Sequence, residues 1–334
     1  MKGIYFNALL AIIVWTAWFY LAGPNPFTYI QEYWEISVTM IFGSLIAGAT
    51  SEGGGAVAFP VFTKLLHINP VDAKVFSFAI QSIGMTSASL VIIYLGIKVE
   101  WRVIFWASLG GTLSTILSSI WLAPLLPPPV LKMSFTAMIT SFAITLFVLN
   151  RREERLCHDH LPRVGISEQI ILISAGFLGG IMSGLVGTGI DVITFSFIVL
   201  LFRLSEKVGT PTSVILMSIN TLISFALHGL VLAKFTPQVQ AYWFAAMPIV
   251  VIGAPVGAMI CNRLNRIIIA RILILLIAFE LVTSLWLIPL TSLVVTTSLA
   301  IFILFSGLYY WMYRIQIYEP IHLDNTFAKK ESKE

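Results

Sequence analysis

Long apolar stretches recur along the whole chain, and this feature constrains the fold more than any other. A helix needs about 20 residues to cross the hydrocarbon core of a bilayer. Eight stretches have this length, namely 3–22, 72–95, 101–122, 129–149, 207–233, 240–262, 267–288 and 292–313. Hydrophobic residues make up 58% of the 334 residues and charged residues only 11%, too few to cover a soluble protein. The sequence therefore predicts an all-α, multi-pass protein of the plasma (inner) membrane and excludes a soluble enzyme.

Two further apolar stretches, 35–66 and 167–204, are too long for one span and too short for two. Each is interrupted near its middle by a glycine-rich run, at residues 51–55 in the first and 187–189 in the second. Such a stretch is either one discontinuous crossing helix or a re-entrant hairpin that returns to the side from which it entered.

The distribution of lysine and arginine favours the hairpins. With two hairpins, 16 of the 20 basic residues lie on the cytoplasmic side, together with both termini; with two crossings the split falls to 13 and 7. The first stretch, 3–22, is longer than the apolar part of a signal peptide, and we expect it to be retained as a helix.

The two glycine-rich runs belong to a repeat. Residues 48–62 and 184–198 match at an offset of 136 positions, with glycines and a phenylalanine in register. The predicted hairpins start from opposite sides, which is typical of inverted-repeat transporters. The predicted organisation is 1–34, an extra helix and external loop; 35–149, repeat one; 150–168, a cytoplasmic linker; 169–290, repeat two; and 291–334, a last helix and cytoplasmic tail.

The first glycine run resembles a known family motif. Residues 48–60 follow the spacing G-x-x-G-x-G-G-G-x-x-x-x-P, with Ser51 in place of one glycine, and residues 184–196 form a second copy. This pattern is similar to that of the sulfite exporter TauE/SafE family, and the resemblance extends over about residues 35–290. It implies a secondary transporter that exports sulfite, an organosulfonate or a related sulfur-containing acid. The alternative from another class is an anion-permeable channel built from the same hairpins.

The two tips and two polar helix faces provide the expected substrate site. Glycine lets backbone and ligand approach closely, and the half-helices expected to begin at Ala56 and Val192 would present free N–H groups to an oxyanion. Polar faces along 72–95 and 207–233 should face the interior, and their amides can donate to an anion. His228 is interpreted as a structural histidine. The expected substrate-binding residues are Glu52, Gly53, Gly54, Gly55, Gln81, Thr188, Gly189, Asp191 and Asn220.

Three acids lie at membrane depth and are candidates for proton coupling: Glu52, Asp191 and Glu280. Two interpretations of the tip acids stay open, since each either carries a proton or caps the half-helix that follows it. Glu280 either takes part in coupling or bonds a neighbouring helix. No lysine or arginine is expected at membrane depth away from a helix end, so no cation is expected beside the anion.

No motif indicates a cofactor, a resident metal or catalysis. The chain lacks a phosphate-binding loop and an HExxH motif. The run Cys157–His160 has three residue types that bind metals, but a solvated linker is the preferred interpretation. The expected partners are the small anion and membrane lipid, without nucleic acid; a homodimer is left open.

The topology can be tested by labelling single cysteines in a background in which both native cysteines are serine. A cysteine replacing Arg155 or Arg266 should react with a membrane-impermeant thiol reagent only from the cytoplasmic side. One replacing Gln31 should react only from outside. Labelling of position 155 from outside would contradict the hairpins and the inverted repeat with them.

Overall fold

Helices account for nearly all of the chain that the computed structural model describes, which is residues 2–53, 61–62, 66–150, 157–161 and 164–315. One isolated β-bridge joins His158 to Leu204. The α-helices are α1 Lys2–Leu21, α2 Phe27–Glu32, α3 Trp34–Ala49, α4 Pro70–Tyr94, α5 Trp101–Leu117, α6 Pro128–Leu149, α7 Ile166–Val186, α8 Ile190–Leu200, α9 Glu206–Ala226, α10 Pro237–Arg263, α11 Arg266–Leu287 and α12 Ser292–Ile315.

Nine helices of the described residues are long and apolar enough to cross a membrane. Eight of them are the predicted spans, with ends that differ by a few residues, and the all-α polytopic fold is confirmed. The ninth is α7, whose 21 residues are of spanning length by themselves. It forms the first part of the stretch 167–204. The shorter apolar helices are α3 and α8, with 16 and 11 residues.

Proline and a capping side chain fix where several spans begin. In α4, the Asn69 side chain accepts a hydrogen bond from the backbone N–H of Val71, and Pro70 occupies the first helical turn. Proline suits this position because its missing N–H would have no intrahelical partner there. The helix α6 likewise begins with Pro128. As a result Lys74 and Lys132 each lie four residues inside a helix.

One end of the molecule, here called the linker face, contains the described linker residues 157–161. The backbone N–H of His158 donates to the carbonyl of Arg203 over 3.0 Å, and Ser205 N–H donates to the carbonyl of His158 over 2.9 Å. The end of α8 is therefore hydrogen-bonded to the segment that precedes α7.

Both ends of the described chain also lie at the linker face. Gly3 in α1 packs beside Leu95, which follows α4, and the Arg203 guanidinium donates to the carbonyl of Tyr313 in α12. Several basic residues lie at this face, and all of them belong to the group that the charge distribution predicts to be cytoplasmic: Lys98, Arg102, Arg203 and Arg266.

Two pairs of helices pack at very short range. In the pair α3 and α10, Ser37 donates to the carbonyl of Ala245, and Gly48 lies directly against the backbone of Ala254. In the pair α5 and α7, Gly176 lies against the backbone of Ala107 in the same way. A Cβ atom at either glycine would collide with backbone, so glycine is required there by close approach. Gly110 of α5 and Gly257 of α10 lie equally close to the backbone of Ile173 and Leu45, so both sides of each pair contribute glycines to the contact.

The long helices α4 and α9 run antiparallel through the centre. Phe78 stacks near His228 with ring centroids 5.0 Å apart, and Thr86 bonds Ser218 over 2.9 Å, so residue numbers rise along one helix as they fall along the other. Their polar residues are largely buried, which confirms that the polar faces point inward. The centre of the bundle is therefore polar.

Candidate substrate site

The second glycine run makes a sharp break between α7 and α8. Gly187 closes α7 with a φ of 96°, and Gly189 has a φ of 135° immediately before α8. Backbone of this kind is accessible to glycine and costly for residues that carry a Cβ atom. The sequence places the break correctly, although α8 begins at Ile190, two residues before the predicted start.

Asp191 caps the start of α8. One carboxylate oxygen, Oδ1, accepts hydrogen bonds from the backbone N–H groups of Gly189 over 3.1 Å and Val192 over 3.0 Å. The Ser183 hydroxyl accepts from the N–H of Ile190 over 3.0 Å. The prediction that α8 presents free N–H groups to an oxyanion is therefore wrong for these groups, because the protein's own side chains already occupy them.

The two tips meet at Gly53. Gly53 has a φ of 71° and no side chain, so no side chain of its own lies between its α-carbon and the second tip. A Cβ atom at this position would lie 3.2 Å from Asp191 Oδ2 and 3.4 Å from Thr188 Oγ1. Residues 138 positions apart, predicted as parts of one site, are thus brought together across the centre of the bundle.

Gln81 anchors the second tip from α4. Its Nε2 atom donates to the carbonyl of Gly187 over 3.2 Å and to Ser77 Oγ over 2.6 Å. Its other side-chain atom, Oε1, would lie 3.8 Å from a Cβ atom at Gly53. The predicted residue Gln81 therefore lies in the site, although its amide nitrogen already donates to the tip and to Ser77.

Glu52 places a carboxyl group at the first tip. Its side chain is 1% exposed, and neither oxygen has a hydrogen-bond partner among the described residues. Glu280 and Asp191 both lie within electrostatic range of it, as does Lys132. The three predicted acids thus form one buried cluster around the first tip.

Glu280 forms an ion pair with Lys132, which joins α11 to α6. Thr136 Oγ1 lies 3.4 Å from the same carboxylate oxygen and 3.1 Å from Ser284 Oγ. Glu280 therefore bonds a neighbouring helix, which is one of the two interpretations drawn from the sequence. Because Glu280 also interacts electrostatically with Glu52, it lies beside the site.

Two buried lysines correct the expectation that no cation lies near the anion. Lys132 is 3% exposed, and Lys74 is 7% exposed with its Nζ atom 3.1 Å from the carbonyl of Gly184. Each lies one turn inside its helix, and a lysine is long enough to point inward from there. The signal in the sequence is a lysine four residues after a proline that starts an apolar helix.

One predicted substrate residue, Asn220, is not brought to the tips by the described contacts. Asn220 donates to Thr115 Oγ1 over 2.9 Å and so joins α9 to α5. Gly54, Gly55 and the predicted helix start at Ala56 lie outside the described residues. His228 Nδ1 bonds the carbonyl of Ser224 over 2.9 Å, as a structural histidine would, and its Nε2 has no partner in the described part of the chain.

The linker cluster takes part in contacts at the linker face. Asp159 pairs with Lys98 over 2.8 Å, and the described residues contain no group of three metal-binding side chains. Burial raises the pKa of the neighbouring Glu100, but hydrogen bonds from Arg102 and the N–H of Leu161 outweigh it. The pKa of Glu100 therefore lies below its ordinary value, and the carboxylate holds the linker against the start of α5.

These features define the class of protein first: an all-α, multi-pass membrane protein in which two broken segments meet at a buried charged centre. The model of the family described as Sulfite exporter TauE/SafE matches residues 36–283, about three quarters of the chain. The chain belongs to this family, and it is therefore a membrane transporter. Comparison with curated proteins and with solved structures gave no match.

Replacement of Gly53 by alanine should disrupt the site. Gly96 is the matched control, because its φ of 62° is similar and a Cβ atom there would meet nothing within 4 Å. Both variants should lose about 1 kcal/mol of stability through left-handed backbone strain. Only Gly53→Ala should also weaken anion binding, by about tenfold or more. Calorimetric titration of the purified proteins with sulfite measures this; equal affinities would show that the space between the tips is not part of the site.

Proposed function

We propose that this chain is a secondary transporter that moves a small anion across the membrane by alternating access. The observation that carries the proposal is the meeting of the two glycine tips, Gly53 and residues 187–189, beside buried charged groups. Irregular backbone survives at membrane depth only where protein or a water-filled cavity satisfies it. Transporters place their substrate sites where such broken helices meet.

The proposed architecture is two inverted repeats, 35–149 and 169–290, each with a re-entrant hairpin. The hydrogen bonds between His158 and residues 203–205 support a hairpin at the second tip, since they join its two ends. The packing of α3 on α10 and of α7 on α5 supports the repeat, because α3 corresponds to α7 and α5 to α10, so the same contact is made twice between the repeats. The linker face is then cytoplasmic, in agreement with its basic residues.

The proposed substrate is sulfite, an organosulfonate or a related sulfur-containing acid, moved outward. The family description supports this class and direction. Two buried lysines supply positive charge for a small oxyanion, which fits the same class.

A transporter accounts better than a channel for the closed centre of the molecule. A cavity of about 60 Å³ lies at the end opposite the linker face, and one of about 10 Å³ lies at the linker face beside Lys207. Between them lie tightly buried tip residues, among them Asp191 and Glu52. Two separate recesses on opposite faces suit alternating access, whereas conduction needs one continuous path.

Counterflow in proteoliposomes tests this function. Vesicles that contain the purified protein and unlabelled sulfite, diluted into trace labelled sulfite, should take up label transiently above its equilibrium level. Protein-free vesicles provide the baseline, and sulfoacetate, taurine and thiosulfate serve as competing substrates. Single-channel conductance without counterflow would instead establish the pore.

We further propose that Glu52 carries a proton during transport. Glu280 forms an ion pair with Lys132, and the buried Glu52 carboxyl group lies within electrostatic range of Glu280. Neighbouring carboxylates disfavour each other's ionisation, and an unpaired buried charge is costly. A neutral Glu52 relieves both problems, and release of its proton on one side would link anion movement to the proton gradient. Asp191 is the second candidate for carrying a proton, in addition to its role in capping α8.

Amide substitutions separate proton coupling from capping. Asp191→Asn retains an oxygen that accepts the two backbone hydrogen bonds, and Glu52→Gln retains shape, but neither amide carries the proton. Transport driven by a pH gradient should be lost in Glu52→Gln, while sulfite–sulfite exchange persists. The exposed Glu32→Gln is the control and should behave as the wild type does. Wild-type pH dependence of flux in both tip variants would exclude coupling through the tips.

A further inference from the structure

The ion pair between Lys132 and Glu280 is unusual because both side chains are buried in an apolar bundle. Lys132 is 3% exposed and Glu280 is not exposed at all. Burial of two ions costs desolvation free energy, which can exceed the energy gained from their attraction. A buried ion pair therefore need not stabilise the fold. The presence of this ion pair at membrane depth therefore points to a function.

Lys132 also borders a cavity. Lys132 and Lys74 both line the cavity of about 60 Å³ at the end opposite the linker face, with room for about two waters. The cavity lies between the first turns of α4 and α6, the connection from α5 to α6 and the last turn of α7. Lys132 thus stands between an open recess on one side and the acidic cluster of Glu280 and Glu52 on the other.

We propose that Lys132 is the cation that binds the transported anion, and that Glu280 occupies Lys132 when no substrate is present. The proposal rests on the proposed transport function and identifies the residue that recognises its substrate. An oxyanion that reaches Lys132 displaces the Glu280 carboxylate from the ammonium group. One negative charge replaces another beside Lys132, so the lysine is never left unpaired.

The surroundings of Glu280 allow this exchange. Thr136 Oγ1 lies 3.4 Å from the carboxylate oxygen, and Ser284 Oγ lies 3.1 Å from that hydroxyl, so polar partners remain within reach after Lys132 is released. The same principle is observed at the second tip, where Asp191 occupies the N–H groups at the start of α8. In both places a carboxylate of the protein occupies donors that suit an anion.

Substitutions on the two sides of the pair give opposite results if the proposal is correct. Sulfite affinity is measured by calorimetric titration of the purified full-length protein. Glu280→Gln removes the competing charge but keeps a similar shape, and affinity should rise about tenfold if Glu280 leaves Lys132 about a tenth of the time in the wild type. Lys132→Met should lower affinity beyond detection. Lys98→Met, which removes a charge at the linker face, should leave affinity unchanged.

The double variant Lys132→Met/Glu280→Gln guards against misfolding, because it leaves neither charge buried alone. It should fold, as judged by its thermal unfolding, and bind no sulfite. Weakened binding in both single variants, or wild-type binding in the double variant, would mean that the pair is only structural and would overturn the inference alone. Absence of anion binding by the wild type would instead refute the proposed function, and this inference with it.

Discussion

The lack of hydrogen-bond partners in the hydrocarbon core of a bilayer is the constraint on which the rest of the structure depends. A charged or polar group at membrane depth must find its partner within the protein. Lys132 therefore pairs with Glu280 and ties α6 to α11, while Lys74 bonds the carbonyl of Gly184 and ties α4 to α7. Contacts that neutralise charge thus also hold the helices around the tips in place.

The same constraint decides what an incoming anion meets. The backbone donors at the start of α8 are bound by Asp191 and Ser183, and the Lys132 ammonium is bound by Glu280. Substrate binding in such a centre is an exchange of partners, and its free energy is the difference between two sets of contacts. Selectivity then depends on how well a candidate anion replaces a carboxylate, by charge and by the number of its oxygens.

The sequence predicts the spans because an apolar run of spanning length is a property of consecutive residues, and it predicts the break at residues 187–189 because glycine permits that backbone. The meeting of Gly53 with Asp191 follows from the repeat. The pairing of Lys132 with Glu280 does not, because 148 residues separate them and only packing of α6 on α11 joins them. The sequence leaves open whether Asp191 caps α8 or carries a proton, and the capping is observed because Asp191 stands only two residues after Gly189, where a carboxylate can fold back onto the backbone.

The packing of α3 on α10 has a consequence for the order of assembly. Gly48 lies against Ala254, so α3, with 16 residues, finds its closest neighbour in a helix that begins only at Pro237. At ordinary synthesis rates the intervening chain takes roughly 10–40 s to emerge from the ribosome. During that time the early helices enter the membrane while α3 has no partner for its glycine-bearing surface. Insertion and completion of the fold are therefore separate in time, and the first tip takes its final place late.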